Sequence, residues 1–239
     1  MTLRDRSILI TGATRGLGRA LALGFAREGA SLTLSARSAG DLDKVAAEAR
    51  AAGGKVAVAA GSVADPAHAE ELVSAALAAH GRLDVVINNA SILGPRVPLA
   101  EYPEATFREA LLVNTYGPFI LVRAALPELR RARGTVINVT SGVGTSGKAG
   151  WGAYSVAKFG LEGLGQILAE EEAATGIRVY TVDPGGMRTR MRAEAYPDED
   201  PATLPAPEAN LPLFSYLAGD PAEPSGTRIR AREWLAARV

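Results

Sequence analysis

The chain has 239 residues, of which 47% are hydrophobic and 22% are charged, and its formal net charge at pH 7 is zero. This composition fits one globular α/β domain over residues 1–239 with a sizeable core. The balanced charge argues against nucleic-acid binding, which needs a positive surface. Because the chain has no cysteine, disulfides, thiolate catalysis and cysteine-ligated metals are excluded.

A few further features of the sequence bear on metal binding, membrane contact and cellular location. His68 and His80 are the only histidines. Both fall in predicted helices far from acidic clusters, so we expect surface or partly packed side chains and no metal site. No apolar run approaches the ~20 residues that span a bilayer, and the first strand begins close to Met1. We therefore expect no membrane contact, no signal or transit peptide, and a cytoplasmic protein.

Strand and helix patterns alternate along the chain. Apolar runs predict six strands, at 7–10, 31–35, 55–60, 83–88, 135–140 and 177–183. The intervening segments predict five helices, at 16–28, 41–52, 66–80, 104–133 and 151–175. Runs such as 85–87 are apolar throughout, which indicates a parallel sheet buried on both faces. The alternation predicts a doubly wound parallel sheet (Rossmann fold), with three α/β/α layers in a single domain.

A glycine-rich loop joins the first predicted strand to the first helix, and its glycines follow the pattern G-x-x-x-G-x-G. Such glycines permit a tight turn and a close approach of the backbone to a pyrophosphate. The helix N-terminus adds free N–H groups and a partial positive charge. A plain glycine turn is the alternative, but the place of the loop after the first strand favours a nucleotide site. The candidate phosphate-binding residues are Gly12, Thr14, Arg15, Gly16, Leu17 and Gly18.

Two arginines bear on the choice of cofactor. Arg15 lies in the glycine loop, and Arg37 follows the second predicted strand. NAD-binding folds usually carry an acidic residue there for the adenosine ribose. Arginines without a carboxylate suit a 2′-phosphate, so NADP(H) is favoured over NAD(H). The alternative is that both arginines simply face solvent.

Tyr154 and Lys158 stand four residues apart, thirteen residues after Ser141. On a helix, positions i and i+4 share a face. A nearby ammonium favours phenolate, so the spacing predicts that the pKa of Tyr154 falls below its usual value of about 10. Such a tyrosine can exchange a proton with a carbonyl or alcohol oxygen. A solvated surface pair is the commoner explanation of the spacing alone, but the rest of the chain favours catalysis.

These ordered motifs resemble the short-chain dehydrogenase/reductase family in its compact single-domain form, over about residues 6–186. Its Asn-Asn-Ala-Gly element matches 88–91, with Ser91 in place of the glycine. Ser62 stands where many members have an aspartate near the adenine. The resemblance implies four catalytic residues, Asn114, Ser141, Tyr154 and Lys158. It implies cofactor contacts, besides the loop and Arg37, from Ser62, Val63, Asn89, Ala90, Tyr154, Lys158, Pro184, Gly185, Met187 and Thr189.

The resemblance implies an NAD(P)(H)-dependent oxidoreductase that transfers a hydride between nicotinamide and a small carbonyl or alcohol compound. Tyr154 would be the general acid or base, Lys158 would lower its pKa, and Ser141 would bond the substrate oxygen. Asn114 would help to hold a relay water. The expected pocket residues are Ile92, Leu93, Val143, Tyr154, Gly186 and Met187. The alternatives are a non-catalytic NADP(H)-binding sensor or regulatory protein on the same fold, and lyase or epimerase chemistry.

Two expectations concern mobility and assembly. Segment 187–207 is rich in Pro, Asp and Glu, and we expect an irregular lid that closes over cofactor and substrate. A permanently packed loop or a disordered connector are the alternatives. Related proteins pair the fourth and fifth helices across two-fold axes, so we expect a homodimer or homotetramer. The residues that suggest it are Phe119, Val122, Ala125, Leu129, Phe159, Gly163, Gly165 and Ile167.

Overall fold

The computed structural model describes residues 3–238, in which seven strands form one sheet with the order β3-β2-β1-β4-β5-β6-β7. Every neighbouring pair is parallel. The strands are β1 (Ser7–Thr11), β2 (Ser31–Ala36), β3 (Lys55–Ala60), β4 (Val85–Asn88), β5 (Thr135–Val139), β6 (Arg178–Asp183) and β7 (Arg228–Arg230). The helices are α1 (Gly16–Arg27), α2 (Ala39–Ala51), α3 (Pro66–His80), α4 (Glu104–Leu111), α5 (Gly117–Ala132), α6 (Gly152–Glu171), α7 (Arg190–Ala195), α8 (Leu211–Ala218) and α9 (Ala231–Ala236).

Alternating side chains of the central strands feed two apolar clusters, one on each face of the sheet. Ile8 and Ile10 of β1 pack with α1, α2 and α8 on one face. Leu9 packs with α3, α5 and α6 on the other face. This is the two-residue period of a strand. Each large side chain that is fully buried in this way contributes about 1.5–3 kcal/mol. The predicted doubly wound parallel sheet is confirmed.

From β1 the sheet grows in one direction through β2 to β3, and from β4 it grows in the other direction through β5 and β6 to β7. The strand order therefore reverses between the neighbours β1 and β4. Ligands of open α/β sheets bind beyond the carboxyl ends of the strands at such a switch point. The loops after β1, β4, β5 and β6 meet at this edge. The fold thereby brings most of the predicted site residues to one side of the molecule.

The predicted helix at 104–133 is interrupted. It consists of α4, a π-helical turn over Leu112–Tyr116, and α5. A π turn inserts one extra residue into the helical ladder and occurs often at functional sites. Asn114 lies in this turn and is fully buried. The interruption is therefore located where the sequence places a candidate catalytic side chain.

The composite helix Glu104–Ala132 is long and apolar enough to cross a membrane, with a mean hydropathy of 1.3 in its most apolar window. The expectation that no stretch approaches that length is wrong for this helix. However, 44% of the window is buried inside the structure, and Leu121, Ala125 and Leu129 pack against the sheet. Packing on the sheet accounts for its composition, because core helices of globular proteins pass the same test.

The chain after β6 is more ordered than the sequence predicts. Segment 187–207 contains helix α7, whose first turn is capped by Thr189 accepting a hydrogen bond from the backbone N–H of Arg192 at 3.2 Å. The expectation of an irregular segment is therefore wrong for 190–195. Strand β7 was also not predicted, because a three-residue strand with two arginines lacks an apolar run.

Candidate active site

The glycine loop, residues 11–18, forms a tightly packed cradle at the carboxyl end of β1. The side-chain amide of Asn89 donates to the carbonyl oxygens of Thr11 at 2.8 Å and Gly12 at 3.2 Å. The backbone N–H groups of Asn89 and Ala90 donate to Thr11 Oγ1 at 3.1 and 3.0 Å. A Cβ added to Gly12, which has a φ of 67°, would lie 2.8 Å from Ala90 Cα. Glycine is therefore required where the loop and the β4 loop touch.

The start of α1 fits a phosphate. Its N-cap residue, Arg15, makes no side-chain capping hydrogen bond, and the first turn carries no acidic residue. Ser38, Asp65 and Thr189 cap α2, α3 and α7, whereas α4, α5, α6, α8 and α9 lack a side-chain cap as α1 does. The first backbone N–H groups of a helix need an external partner, and an anion satisfies them well. The uncapped end of α1 thus has the donor set that a pyrophosphate needs.

The remaining predicted cofactor residues lie along the same edge of the sheet. Arg37 follows β2 with 68% of its side chain exposed, and its Nη1 lies 4.0 Å from Glu109 Oε1. Ser62 and Val63 follow β3, where Ser62 Oγ accepts from the backbone of Ala64 at 3.3 Å. Pro184, Gly185, Met187 and Thr189 follow β6, and a Cβ added to Gly16 would lie 3.4 Å from Thr189 Cγ2. The residues present fit a dinucleotide bound along the carboxyl edge of the sheet.

Tyr154 and Lys158 lie on α6 and are almost completely buried, with 7% and 2% of their surfaces exposed. The side chains of Ser141 and Ser91 lie beside the Tyr154 hydroxyl, and hydrogen bonding to each lowers the pKa of Tyr154. The Lys158 ammonium donates to the carbonyl oxygen of Val139 at 2.8 Å and lies 5.5 Å from the centroid of the Tyr154 ring. Three of the four predicted catalytic side chains are therefore close neighbours.

Asn114 joins this group through the loop after β4. Its Oδ1 accepts from Ser91 Oγ at 3.1 Å and from the backbone N–H of Ile92 at 2.9 Å. Its Nδ2 donates to the carbonyl oxygen of Ile92 at 2.8 Å. The π turn of the helix thus holds the β4 loop, and Ser91 links Asn114 to Tyr154. The sequence flagged Ser91 only as a departure from the family pattern.

Burial dominates the proton affinities at the site. It raises the pKa of Tyr154 to about 12, against the smaller lowering effect of the Ser141 hydrogen bond. Burial also lowers the pKa of Lys158 to about 8. The predicted fall of the Tyr154 pKa is therefore wrong for this structure. A phenol removed from water resists ionisation, and the nearby Asp183 carboxylate raises the pKa of Tyr154 further.

An apolar wall surrounds Tyr154. It comprises the buried residues Leu93, Val143, Trp151, Tyr154 and Ala195, with Met191 and Tyr196 packed against them. The Arg96 guanidinium lies 4.2 Å from the ring centroid of Trp151, and its Nη1 donates to the carbonyl oxygen of Ala195 at 2.8 Å. The wall is thus built from the β4 loop, the start of α6 and helix α7.

Three of the six expected pocket residues lie in the apolar wall. Leu93, Val143 and Tyr154 belong to it. Met187 instead packs against the main core, and an added Cβ on Gly186 would lie within 3.3 Å of the Arg192 and Arg232 guanidinium groups. The sequence missed Trp151 and Tyr196. Trp151, one helical turn before Tyr154, carried the only available signal for a neighbour on the same side.

The histidines lie away from the apolar wall. His68 is buried, with its ring nitrogens 3.0 Å from Ser35 Oγ and 2.9 Å from Glu71 Oε2. His80 Nε2 lies 3.0 Å from the carbonyl oxygen of Leu32. The expectation of surface or partly packed histidines is wrong for His68. Within residues 3–238, no three His, Asp or Glu side chains converge as metal ligands do.

Comparison with known proteins agrees with this geometry. Residues 6–200 match the short chain dehydrogenase family. YciK, an uncharacterized oxidoreductase of Escherichia coli (strain K12), is 36% identical over 222 residues, covering 91% of this chain and 88% of YciK. A short chain dehydrogenase structure from Pseudomonas syringae has a TM-score of 0.91 and 40% identity, covering 96% of this chain and 95% of its own.

A second solved structure, a short chain dehydrogenase from Shigella flexneri 2a in complex with NADP, has a TM-score of 0.90 and 34% identity. The similarity covers 96% of this chain and 98% of that chain. Fold, site motifs and whole-chain similarity therefore agree. The chain belongs to the short chain dehydrogenase family and is an oxidoreductase.

Proposed function

We propose that the protein is an NADP(H)-dependent carbonyl reductase or alcohol dehydrogenase in which Tyr154 exchanges the proton. One observation carries the proposal. The buried Tyr154 hydroxyl is held by Ser141, next to the Lys158 ammonium, at the sheet edge that also carries the uncapped start of α1. A non-catalytic sensor has no need of this arrangement.

The proton chemistry follows from the positions of the side chains. A nicotinamide cofactor held by the glycine loop and the residues after β6 would supply or accept the hydride. Ser141 donates a hydrogen bond to the substrate carbonyl oxygen, and Tyr154 donates its proton to that oxygen as the alcohol forms. The pKa of Tyr154, near 12, keeps the phenol protonated at neutral pH. That is the form needed to protonate the carbonyl oxygen during reduction.

Lys158 and Asn114 support Tyr154 in different ways. The Lys158 ammonium lies 5.5 Å from the phenol ring and stabilises the negative charge that develops on its oxygen. Its pKa, near 8, leaves most of the amine charged at pH 7. Asn114 fixes the β4 loop through both ends of its amide and orients Ser91. Asn114 is therefore a positioning residue in this account.

NADP(H) is the proposed cofactor because two exposed cations, Arg15 and Arg37, flank the expected position of the adenosine ribose. Each can form a charged hydrogen bond to a 2′-phosphate, worth roughly 1.5–3 kcal/mol. The Shigella flexneri relative was solved with NADP. Glu109 lies 4.0 Å from Arg37, so NADPH binding requires the arginine to exchange this weak, exposed pair for the phosphate.

The substrate is proposed to be a partly apolar, small carbonyl compound, because Tyr154 lies within the apolar wall. The test is a screen of NADPH oxidation with aliphatic ketones, aryl ketones, aldehydes and quinones, with NADH in parallel. We expect turnover with aryl or medium-chain compounds and NADPH. Tight NADPH binding without turnover on any probe contradicts an enzyme and favours the sensor.

We propose a homodimer or homotetramer formed through α4, α5 and α6. Exposed apolar side chains lie on these helices and the π turn between α4 and α5, namely Leu112, Tyr116, Phe119, Val156, Phe159 and Ile167. The expectation is corrected for Val122, Ala125, Leu129 and Gly165, which are buried within the chain. Light scattering should give at least twice the 24.8 kDa chain mass. The monomer mass at micromolar concentration contradicts this assembly.

We also propose that 187–207 opens and closes over the site. Arg96 of the β4 loop donates a hydrogen bond to the carbonyl oxygen of Ala195 in α7. Tyr196, directly after α7, packs on Trp151 at the start of α6 with 5.9 Å between the ring centroids. Contacts of this kind can break without disturbing the sheet. The single-domain organisation over 1–239 and a cytoplasmic location stay predictions.

A further inference from the structure

Arg228, at the start of β7, reaches the back of the candidate catalytic site. Its Nε lies 2.9 Å from Glu162 Oε1 on α6. Its Nη2 lies 3.6 Å from Asp183 Oδ2 at the end of β6. The same Nη2 donates to the carbonyl oxygen of Ser141 at 3.4 Å. The Arg228 guanidinium therefore contacts α6, which carries Tyr154 and Lys158, the end of β6, and the backbone of Ser141 after β5.

Both carboxylates lie close to catalytic groups. Glu162 is buried, follows Lys158 by one helical turn, and accepts from Thr140 Oγ1 at 2.8 Å. Asp183 Oδ1 accepts from the backbone N–H of Gly185 at 3.0 Å. Thr140 precedes Ser141 directly, and Gly185 lies in the loop after β6. The two carboxylates thus hold the backbone on either side of the site.

We propose that Arg228 is a positioning residue for the reaction: it neutralises Glu162 and Asp183 together and holds the Ser141 carbonyl, so that β7 sets the charge behind the Tyr154–Lys158 pair. The inference rests on the proposed function, because it concerns the residues assigned there to proton transfer. Strand β7 then has a role in the chemistry as well as in the sheet.

The direction of the electrostatic effect is fixed by the charges that surround the pair. Asp183 raises the pKa of Tyr154, and Glu162 raises that of Lys158. Arg228 is the cation in contact with both carboxylates. Two other arginines lie near the same edge. Arg230 forms an ion pair with Glu233, and the Asp183 carboxylate raises its pKa. Arg232 donates a hydrogen bond to the carbonyl oxygen of Gly186. Loss of the Arg228 charge therefore raises the pKa of both catalytic groups.

The Lys158 amine gives a readout that does not depend on turnover. The other lysines are Lys44, Lys55 and Lys148, so Lys158 is assigned by comparison with a Lys158→Met sample. The protein is labelled with [ε-¹³C]lysine, and each amine is titrated by NMR. Arg228→Met should raise the Lys158 midpoint by about half a pH unit to one unit. Glu162→Gln should lower it, and Arg228→Lys should restore most of the wild-type value.

Arg178→Met is the matched control. Arg178 lies on the adjoining strand β6, is partly buried like Arg228, and pairs with Asp220 at 2.8 Å outside the site. It should leave the Lys158 midpoint unchanged. If Arg228→Met does not fold, Arg228→Met with Glu162→Gln removes both charges, and Glu162→Gln alone still tests the sign. Unchanged Lys158 midpoints in Arg228→Met, or in Glu162→Gln where that variant alone folds, overturn the proposal.

The kinetic readout is the pH profile of NADPH oxidation, with the fastest carbonyl probe of the screen. Arg228→Met should move the alkaline limb of kcat to higher pH, with the dissociation constant for NADPH within about twofold of wild type. A Tyr154→Phe variant that turns over normally refutes the proposed function. An inactive Tyr154→Phe together with an unshifted Arg228→Met profile refutes only the role of Arg228.

Discussion

The two sides of the candidate site are built in different ways. The cofactor side is made of backbone, in which Gly12 and Gly18 pack against the β4 loop and Asn89 holds the loop carbonyls. The substrate side is made of side chains, with Arg96 stacked on Trp151 and bonded to the Ala195 carbonyl of α7. A substitution on the cofactor side contacts main-chain atoms that cannot move easily. A substitution on the substrate side contacts side chains that can rotate.

This difference assigns distinct tasks to the two sides. Backbone geometry that only glycine permits gives a fixed cradle for a phosphate. Stacked arginine and aromatic side chains give a wall that can be rebuilt for another substrate while the sheet is unchanged. Mutations on the two sides should therefore differ in the size of their effect and in the property that they change.

Gly18→Ala should have the largest effect on the cofactor side. An added Cβ would overlap the Gly12 carbonyl oxygen and lie 2.6 Å from Asn89 Nδ2. We expect NADPH to bind about 100-fold more weakly, as an overpacking cost of about 3 kcal/mol implies. Gly40→Ala is the control, because nothing lies within 4 Å of its added Cβ. Fluorescence titration of both variants checks this, and equal affinities contradict a fixed cradle.

Arg37→Ala tests the choice of cofactor. The variant should bind NADPH roughly 10- to 100-fold more weakly, as expected for loss of a charged hydrogen bond. Its affinity for NADH should stay the same, because NADH has no 2′-phosphate. Arg19→Ala is the control, since Arg19 lies on α1 and pairs with Glu48. An equal loss for both cofactors would show that Arg37 acts on the fold and not on the phosphate.

Arg96→Ala tests the mobile side. The substitution removes the hydrogen bonds to the Gly150 and Ala195 carbonyls and the stacking on Trp151. Amide hydrogen exchange in 187–199 should accelerate about tenfold, equivalent to about 1.4 kcal/mol of local stability. Arg190→Ala, which breaks an exposed pair with Glu194, should leave it unchanged. Equal protection in Arg96→Ala and wild type argues that the segment is permanently packed.

Ser91→Gly should have the smallest effect. The change removes a neutral hydrogen bond to Tyr154 that lowers its pKa, and the bond to Asn114. We expect kcat for carbonyl reduction to fall about two- to tenfold. The loss of this hydrogen bond raises the Tyr154 pKa, which makes the phenol a weaker proton donor to the carbonyl oxygen. Ser91→Thr keeps the hydroxyl and should resemble wild type, and an unchanged kcat in Ser91→Gly removes Ser91 from the proton path.

The same division explains what the sequence could predict. The continuous apolar runs of the central strands gave bounds within one or two residues, because burial on both faces leaves few alternatives. The glycine loop and the Tyr154–Lys158 spacing identified the site locally. The pKa of Tyr154 was predicted in the wrong direction, because it depends on burial under Trp151 and helix α7, which the spacing does not encode.

The sequence did not predict β7, the π turn or helix α7, because these elements also depend on contacts with residues far away in the chain. Strand β7 has no apolar run of its own and exists because Ile229 completes a core made by distant residues. The π turn around Asn114 depends on hydrogen bonds to Ile92, 22 residues earlier in the chain. Helix α7 lies in a segment whose composition is typical of loops, and it packs through Tyr196 on Trp151.

The central claim is that Tyr154 transfers the proton. Tyr154→Phe keeps the ring that packs at 5.7 Å from Trp151 but removes the hydroxyl held by Ser141. The direct measurement is single-turnover NADPH oxidation by the purified variant with the best carbonyl probe, alongside NADPH titration. The account predicts a rate at least about 10²-fold below wild type, with NADPH affinity unchanged. A rate within a few-fold of wild type would contradict it.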